Sequence, residues 1–354
     1  MTTIYDIARE AGVSAMTVSR VINNSGRISA ETRMRVRRVM EELHYVPNSN
    51  ARSLVIQKTH ILSLLITDIT NPFYTTLARG AEDTAKTYGY RLLLGNSDED
   101  YGKEKDYVDM ILSTRVDGVL FAPAGDGSGD HLRLLERQGI PYVLLDREVP
   151  GIAADRIAGE SREGAMLLVR HLLELGHRRI AFVGGSRDVS TVRDREAGYR
   201  EALEQAGIPA DSSLILHLHY RDGLQPHALD GLLRQPEPPT AVLAANNFLA
   251  VGIIRSLRSL GLRVPEDLSV VCFDDLGHAS SLHPFLTVAA QPAYRFGSLG
   301  MERLIARIEG NAGTEPHTKV LPVELIIRES SGPPSQADCS GPPSAGRAPG
   351  SSHP

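Results

Sequence analysis

From His60 to about residue 329, short apolar runs alternate with amphipathic segments of helical length. Runs such as ILSLLIT (61–67) and LSVVCFDD (268–275) are apolar at nearly every position until they end. Strands of that kind are typical of parallel sheets that helices cover on both faces. The pattern contains about nine strands, which is many for one twisted open sheet. We therefore predict an α/β core of two Rossmann-like lobes, with ligands bound in the cleft at the carboxyl ends of the strands.

Residues 3–23 predict two short helices joined by a tight turn. Thr3 and Asp6 form a capping-box pattern at the first helix, and Gly12 stands where a helix end favours a left-handed residue. Ser14 opens the second helix, whose inward side holds Val18, Val21 and Ile22. Its outward side holds Ala15, Met16, Thr17, Ser19, Arg20 and Asn23. A helix-turn-helix lays such a face in the DNA major groove, although a surface helical hairpin has a similar pattern.

A third predicted helix follows, capped at Ser29. Its inward side holds Val36, Val39, Met40 and Leu43, and its outward side holds Arg33, Arg35, Arg37 and Arg38. Residues 1–58 contain nine Lys or Arg against five Asp or Glu, a net charge of +4, whereas the remainder of the chain carries −9. A basic head on an acidic body is expected when one end docks on phosphate. This asymmetry favours the DNA-binding interpretation over the hairpin.

Length and composition narrow the class of protein further. From its length of 354 residues, we expect the chain to contain two or three domains. No apolar run approaches the roughly 20 residues of a membrane span, and MTTIYDIAREAGVS lacks the features of a secretory signal, so we expect a cytoplasmic protein. Cys272 and Cys339 predict neither a disulfide framework nor a metal site. We expect no cofactor.

We expect the chain to divide into four segments. The domains are a DNA-binding head (1–46), a hinge helix or linker (47–58), a ligand-binding and dimerisation core (59–329) and a tail (330–354). Lobe 1 of the core takes about 59–158 and 290–319, and lobe 2 takes about 159–289 and 320–329. The tail is rich in Pro, Gly and Ser and almost free of large apolar groups, so we expect it to be disordered.

Several motifs together resemble one known family. The head matches in YDIAREAGVSAMTVSRVIN and SAETRMRVRRVMEELHYVPNSNARSL, and the core in NPFY (71–74), LLD (144–146), HLLELGHRRIAFVGG (171–185), DREAGYREAL (194–203), AANN (244–247) and SVVCFDD (269–275). This pattern resembles the lactose-repressor/galactose-repressor (LacI/GalR) family over about residues 3–329, with a core like that of periplasmic binding proteins. The resemblance implies a homodimeric repressor that binds a pseudo-palindromic operator and responds to a small sugar or sugar derivative.

The resemblance also implies roles for residues of the head. It assigns base reading to Ala15, Met16 and Arg20, and an Arg fork suits O6 and N7 of guanine. Met16 departs from the polar residues of some relatives and offers only apolar contact, for example to a thymine methyl. The hydroxyl and amide groups suited to phosphate belong to Tyr5, Thr17, Ser19 and Asn23, and Ser14 lies with them at the DNA.

NSNARSL resembles the hinge helix of the family. Asn48 can cap it, and Ala51, Arg52 and Leu54 can lie on one helical turn. In the family, a leucine at the position of Leu54 is wedged between base pairs in the minor groove, where it bends the DNA. A helix this short is marginal in water, so we expect it to form on DNA. The alternative is a plain linker that packs Leu54 on the core.

Polar residues at strand ends predict the ligand site. Asp146, Asn246 and Asp274 follow apolar runs, so each lies at a carboxyl edge where its oxygens can match sugar hydroxyls. Helix capping is the alternative for Asn246 and Asp274. The resemblance adds an anchoring Arg195 with Arg193 beside it, stacking by Phe73, Tyr74 and Tyr220, and a hydrogen bond from Gln291 in a crossover segment. One departure is that Glu160 and Ser161 stand where relatives commonly have Asp-Asn.

Other function classes fit the sequence less well than regulation does. Asp274 and Asp275 are adjacent, so in an extended segment they point to opposite faces and cannot act as a catalytic pair. The sequence holds no complete catalytic constellation, and we expect no enzyme activity. Two alternatives are a catabolite-control-type regulator that responds to a phosphocarrier protein, and a sugar-binding transport protein. The transport protein would need a secretory signal and would not need the head.

Overall fold

The computed structural model describes residues 2–23, 25–45, 58–218 and 228–335, and the structural statements below concern these residues. Asn48, Ala51, Arg52, Leu54 and Tyr220, which the sequence assigns to the hinge and the ligand site, lie outside them. The chain divides into two compact units, one of residues 1–61 with 115–117 and one of the remaining residues. Each unit is described by itself.

The first unit contains three helices with the caps that the sequence predicts. They are α1 (Ile4–Glu10), α2 (Ala15–Ile22) and α3 (Ala30–Glu42). Thr3 and Asp6 form the capping box of α1, and Ser14 and Ser29 accept hydrogen bonds from backbone N–H groups in the first turns of α2 and α3. Gly12 has φ +62° in the turn between α1 and α2. Because that φ favours a residue without a Cβ, glycine allows the tight turn of the helix-turn-helix.

Small apolar side chains form the core of the three helices. The buried set is Ile7, Ala8, Ala11, Val18, Val21, Val36 and Val39. Ile22 and Met40 pack against it partly buried, as their spacing predicts. The expectation for Leu43 is wrong, since this residue is 36% exposed at the C-cap of α3. The apolar side of α3 that includes Val36 and Val39 ends with the helix at Glu42, so Leu43 does not continue it.

The larger unit contains two six-stranded sheets, which confirms the two-lobed α/β prediction. Strand order is β2-β1-β3-β4-β5-β11 in lobe 1 and β7-β6-β8-β9-β10-β12 in lobe 2. The strands are β1 (Ile61–Ile66), β2 (Arg91–Asn96), β3 (Gly118–Phe121), β4 (Tyr142–Leu145), β5 (Asp155–Gly159), β6 (Ile180–Gly184), β7 (Ile215–His217), β8 (Ala241–Ala244), β9 (Ser269–Phe273), β10 (Thr287–Ala290), β11 (Thr318–Leu321) and β12 (Glu324–Ile326). The strands that sequence reasoning missed are mostly short ones near the sheet edges.

Both sheets follow the doubly wound order 2-1-3-4-5 and end on a strand from the C-terminal part of the chain. The pairs β1–β3, β3–β4, β4–β5 and β5–β11 are parallel in lobe 1, as are β6–β7, β6–β8, β8–β9 and β9–β10 in lobe 2. Only the final pair of lobe 2 among these ladders, β10–β12, is antiparallel. The carboxyl ends of the parallel strands therefore share one edge in each lobe.

Helices cover both sheets. They are α4 (Pro72–Thr87), α5 (Tyr101–Thr114), α6 (Gly129–Arg137), α7 (Ser161–Glu174), α8 (Ser190–Gln205), α9 (Asp230–Leu233), α10 (Asn247–Ser259), α11 (His278–Leu282) and α12 (Ala293–Ile308). Helices α4 and α12 approach so closely that a Cβ on Gly297 would lie 1.9 Å from the Leu77 carbonyl oxygen. In the described ranges, no helix combines the length and the apolar character that crossing a bilayer requires.

Three crossovers join the lobes, after β5, β10 and β11. Two of them are linked by a hydrogen bond from Glu160 N to Leu321 O of 3.1 Å. Strand β11 ends at Leu321, so lobe 1 extends slightly past the boundary at 319 that the sequence suggests. Each lobe has its own apolar core, built around Phe182 and Phe273 in lobe 2 and around Phe73 and Phe296 in lobe 1.

The start of the tail is a correction to the sequence prediction, which begins disorder at Ser330. Ser330 is fully buried, and its Oγ donates to Val270 O at 2.6 Å and accepts from Thr287 N at 2.8 Å. Gly332 continues this segment along lobe 2, where its carbonyl lies 2.8 Å from Nε2 of the buried His177. A composition average over the whole tail hides these few hydrogen-bonded residues.

We expect the Ser330→Ala variant to be less stable by about 2 kcal/mol, because two buried backbone groups would lose their side-chain partner. Urea unfolding followed by circular dichroism measures the change. Ser113→Ala is the matched control, since the exposed Ser113 hydroxyl donates to Met110 O within α5. Equal unfolding midpoints for the two variants would show that Ser330 does not hold this segment.

Candidate functional site

The outward face of α2 is the candidate DNA-reading surface. Met16 is 63% exposed, Arg20 is exposed, and Tyr5 of α1 is 74% exposed. The other predicted contacts of this helix, Ala15, Thr17, Ser19 and Asn23, are half-buried. The arginine that suits guanine recognition therefore lies on the surface with an exposed apolar side chain at Met16.

Local hydrogen bonds order the start and the end of this face. Ser14 Oγ accepts from Thr17 N at 3.1 Å, and the two hydroxyls lie 2.9 Å apart. The stem of Arg20 lies beside Gly26, where a Cβ would be 3.3 Å from Arg20 Cδ. Sequence reasoning missed Gly26, which has φ +72° and leaves space for the arginine.

Two aspartates occupy equivalent positions on opposite sides of a cleft between the lobes. Asp146 follows β4 and Asp274 follows β9, and each strand has the fourth place in its sheet. Both residues have left-handed backbones, with φ +65° and +68°, and both side chains are buried. Non-glycine residues in this region are uncommon, and Asp is among those that tolerate it best. The sequence prediction that strand ends deliver these two carboxyl groups to one site agrees with this arrangement.

The two aspartates line a cavity of about 30 Å³. The rest of its lining is Asn71, Phe73, Tyr74, Arg147, Thr191, Val192, Arg195, Ala245 and Asn246. Among the buried polar atoms at this site, Asp146 Oδ1 and Arg195 Nε have no hydrogen-bond partner among the described residues. One is an acceptor and the other a donor, so the cavity suits a group that both donates and accepts, as a hydroxyl does.

Arg195 is held from three directions. Its Nη1 donates to Ala245 O at 2.6 Å, its Nη2 lies 3.8 Å from an Asp274 carboxylate oxygen, and its guanidinium carbon lies 3.6 Å above the Phe273 ring. The ring face attracts the cation, and the neighbouring carboxylate compensates part of its charge. Arg195 can therefore anchor a ligand from a fixed position.

Burial raises the pKa of Asp274 to about 6, against the opposing effects of Arg195 and of a hydrogen bond from Gln291. Gln291 Nε2 donates to Asp274 Oδ1 at 2.9 Å. Gln291 is absent from the cavity lining, so its contact with the site runs through Asp274. In the other lobe, Tyr74 Oη donates to Asp146 Oδ2 at 3.3 Å, and burial raises the pKa of this tyrosine.

Other predicted ligand contacts have a second role or a different place. Phe73 lines the cavity but also packs edge-to-face on Tyr74 and Phe296, with ring centroids 5.1 and 5.3 Å apart. Asn246 lines the cavity and also caps α10, where its Oδ1 accepts from Leu249 N at 2.8 Å. Its side chain therefore has a structural role beside the predicted ligand contact.

Arg193 is a correction to the sequence interpretation. Its guanidinium is outside the cavity lining and forms two hydrogen bonds to Asp126 across the lobes, of 2.9 and 3.0 Å. Because Arg193 and Arg195 lie two residues apart on α8, their long side chains take different directions. Glu160 and Ser161 are likewise outside this cavity and line a separate open pocket with Asp194 and Glu201.

Sequence reasoning missed four polar residues of the cavity and its rim: Asn71, Arg147, Thr191 and Asn247. Arg147 is buried and donates to the carbonyl oxygens of Pro123 and Ala124, each at 3.1 Å, and to Glu99. Because Arg147 directly follows Asp146, the prediction for Asp146 could have pointed to Arg147 as well. Asn71 was visible as the first residue of NPFY, but its partner Asn247 is distant in sequence.

Contacts between the lobes close the cleft. Beside the Arg193–Asp126 pair, Asp126 N donates to Asp188 O at 3.0 Å and Glu148 N donates to Ser190 Oγ at 3.0 Å. Asn247 Nδ2 donates to Asn71 Oδ1 at 3.0 Å. A cavity of about 30 Å³ has the volume of one water molecule. A sugar-sized ligand therefore does not fit this cavity in its present form.

The raised pKa of Asp274 predicts a pH-dependent stability. The folded state binds the extra proton, so wild-type stability falls as pH rises from about 4 to 6 and then stays constant for this group. Asp274→Asn cannot titrate, and the wild-type stability relative to this variant should fall by up to about 3 kcal/mol over that window. Urea unfolding of both proteins from pH 4 to 7 measures it. A difference that does not vary with pH would contradict the burial of an ionisable Asp274.

Two family models match the chain. "Bacterial regulatory proteins, lacI family" matches residues 3–48, and "Periplasmic binding protein-like domain" matches residues 169–331. The first covers the three helices of the head, and the second covers most of lobe 2. Both confirm the resemblance in the sequence.

Curated relatives and solved structures agree with these matches. The HTH-type transcriptional regulator DegA of Bacillus subtilis is 38% identical, covering 94% of this chain and 98% of its own, and catabolite control protein A of Priestia megaterium is 34% identical, covering 93% and 98%. The Lac repressor dimer bound to operator and the anti-inducer ONPF has a TM-score of 0.77 at 28% identity, covering 94% of this chain and 99% of its own. These relatives are regulators rather than enzymes. The chain belongs to the lacI family of bacterial regulatory proteins.

Proposed function

We propose that this chain is a transcriptional repressor that binds a pseudo-palindromic operator as a homodimer, and that a small sugar or sugar derivative in the cleft controls it. The observation that carries the proposal is the cavity at Asp146 and Arg195, whose unpaired acceptor and donor suit a hydroxyl group. The same chain carries the exposed Arg20 on a helix-turn-helix. One protein therefore holds a DNA-reading surface and a ligand site.

Relatives support each part of the proposal. One similar structure is the transcriptional regulator CelR in complex with cellobiose, with a TM-score of 0.70 at 32% identity, covering 94% of this chain and all of its own. Another is a LacI family regulator from Enterococcus faecium with bound ribose. The Lac repressor structure is a dimer on its operator. A regulator of chromosomal DNA acts in the cytoplasm, and we propose that location here.

On the operator, we assign base reading to Arg20, Met16 and Ala15. A bidentate contact of Arg20 with guanine is worth about 1–3 kcal/mol of discrimination. Phosphate contacts, which fix the register of the head, belong to Tyr5, Ser14, Thr17, Ser19 and Asn23. The hinge residues Asn48, Ala51, Arg52 and Leu54 keep the minor-groove role that the sequence suggests.

In the cleft, Asp146, Asp274 and Asn246 accept hydrogen bonds from sugar hydroxyls while Arg195 donates. Binding then separates the lobes, since the closed cavity has room for one water only. We propose induction: the ligand favours a state with lower operator affinity. A coupling of about 1–3 kcal/mol would change operator affinity by about 5- to 150-fold.

We expect Arg20→Ala to lose discrimination between the operator and random DNA by about 5- to 100-fold, because the guanine contact disappears. Fluorescence anisotropy at fixed salt, with an operator selected from random fragments by the wild type, measures it. Arg35→Ala is the control, since this exposed arginine belongs to α3 and not to the outward face of α2. Equal specificity of Arg20→Ala and wild type would exclude a base-reading role.

We expect at least one sugar from a panel of pentoses, hexoses, disaccharides and sugar acids to raise the Tm of the wild type, and Asp146→Asn to lose that shift. The amide presents a donor where the carboxylate offers an empty acceptor. Asp130→Asn is the control, because Asp130 is exposed on α6 and pairs with Arg133. If no sugar binds and the chain instead captures a phosphocarrier protein, the catabolite-control alternative replaces this proposal.

A further inference from the structure

Three hydrogen bonds from Thr59 and His60 to the Asp117 carboxylate, here called the clamp, lie where the linker meets the core. Asp117 Oδ1 accepts from Thr59 N and from Thr59 Oγ1, each at 2.8 Å, and Asp117 Oδ2 accepts from His60 N at 2.9 Å. A fourth bond joins the backbones, from Asp117 N to Ile61 O at 2.8 Å. Both carboxylate oxygens are therefore used on two consecutive residues of the linker end.

The clamp holds an unusual backbone conformation. His60 has φ +54°, a left-handed value that non-glycine residues rarely adopt. The hydrogen bonds from Thr59 N and His60 N to one carboxylate fix the chain on either side of that bend. Because carboxylate acceptors form stronger hydrogen bonds than neutral ones, Asp117 is well suited to stabilise the strained turn.

The clamp stands at the start of two neighbouring strands that end at the cleft. Strand β1 begins at Ile61 and β3 at Gly118, and they pair in parallel from Leu62↔Gly118 to Leu65↔Phe121. Beyond β3, the carbonyl oxygens of Pro123 and Ala124 hold Arg147 at the cavity. Beyond β1, the first turn of α4 carries Phe73 and Tyr74, which both line the cavity.

Two hydrogen-bonded strands thus have the clamp at one end and ligand-site residues at the other. Paired strands are stiff along their length, so a shift at their carboxyl ends also moves their amino ends. The residues before Lys58 lead to the DNA-binding head. A firm connection at Thr59 and His60 is required for such a shift to reach the linker.

We propose that Asp117 is a positioning residue for regulation, which transmits the state of the cleft to the linker of the DNA-binding head. This inference rests on the proposed function, ligand control of DNA binding. Asp117 touches neither ligand nor DNA in this role. Its effect lies in the coupling between the two sites rather than in either affinity.

The test compares Asp117→Asn with wild type and with the control Asp130→Asn. In the asparagine variant an NH₂ group faces backbone or hydroxyl donors in place of an acceptor. Three quantities are measured: affinity for the panel sugar that most raises the wild-type Tm, operator affinity without that sugar, and operator affinity with it at saturation. Calorimetry gives the first, and fluorescence anisotropy gives the others.

We expect Asp117→Asn to bind the sugar within about twofold of wild type, while the sugar-induced change in operator affinity falls at least about fivefold. Asp130→Asn should match the wild type in all three quantities. Thr59→Val, which removes only the hydroxyl bond, should lose part of the response and serves if Asp117→Asn does not fold. The rate of amide hydrogen exchange at residues 58–61 should be lowest in the wild type, higher in Thr59→Val and highest in Asp117→Asn.

The outcomes separate the two proposals. The sugar can alter the operator affinity of the wild type and of both clamp variants, Asp117→Asn and Thr59→Val, by the same factor. That result would overturn the role of Asp117 and leave the proposed function intact. A wild type whose operator affinity no panel sugar alters would overturn the proposed function and the inference with it. Loss of sugar affinity in both variants would show a purely structural role, which also contradicts the inference.

Discussion

Parallel strand pairing is the constraint on which the ligand site depends. It forces the carboxyl ends of neighbouring strands to one edge of each sheet, and the two lobes present those edges to a common cleft. Asp146 and Asp274 follow equivalent strands and share a left-handed backbone. Neither lobe alone would create a cavity with carboxylates on both sides, so the chemistry of the cleft belongs to the pair of lobes.

The charges in this cleft are incompletely compensated. Arg195 lies 3.8 Å from Asp274 and stacks on Phe273, yet burial still raises the pKa of that carboxyl to about 6. Asp146 retains an acceptor without a partner. Burying polar groups in this way costs stability unless a ligand satisfies them. The site therefore exchanges stability of the ligand-free protein for binding free energy, a pattern common at functional sites.

The sequence predicted those features that local rules determine. Helix caps at Thr3, Ser14 and Ser29 follow from short-range hydrogen bonding, and the ends of apolar runs located Asp146 and Asp274 at one site. Features that depend on long side chains or distant partners were beyond such rules. Nothing near Arg193 indicates that it pairs with Asp126 across the lobes rather than entering the cavity. The buried Ser330 was hidden by the composition of the tail around it, because its hydrogen bonds go to strands far away in the chain.

The contacts between the lobes suggest how a weak ligand can act as a switch. The Arg193–Asp126 pair is over one third exposed on each side, and ion pairs of that kind contribute about 1 kcal/mol or less. The other bridges are single hydrogen bonds, each worth a similar net amount. Together these polar bridges contribute only a few kcal/mol to the closed state, an amount that differential binding of a ligand to an open state can overcome. Because β1 and β3 connect this cleft to Asp117, the coupling proposed for Asp117 would draw on the same modest free energy.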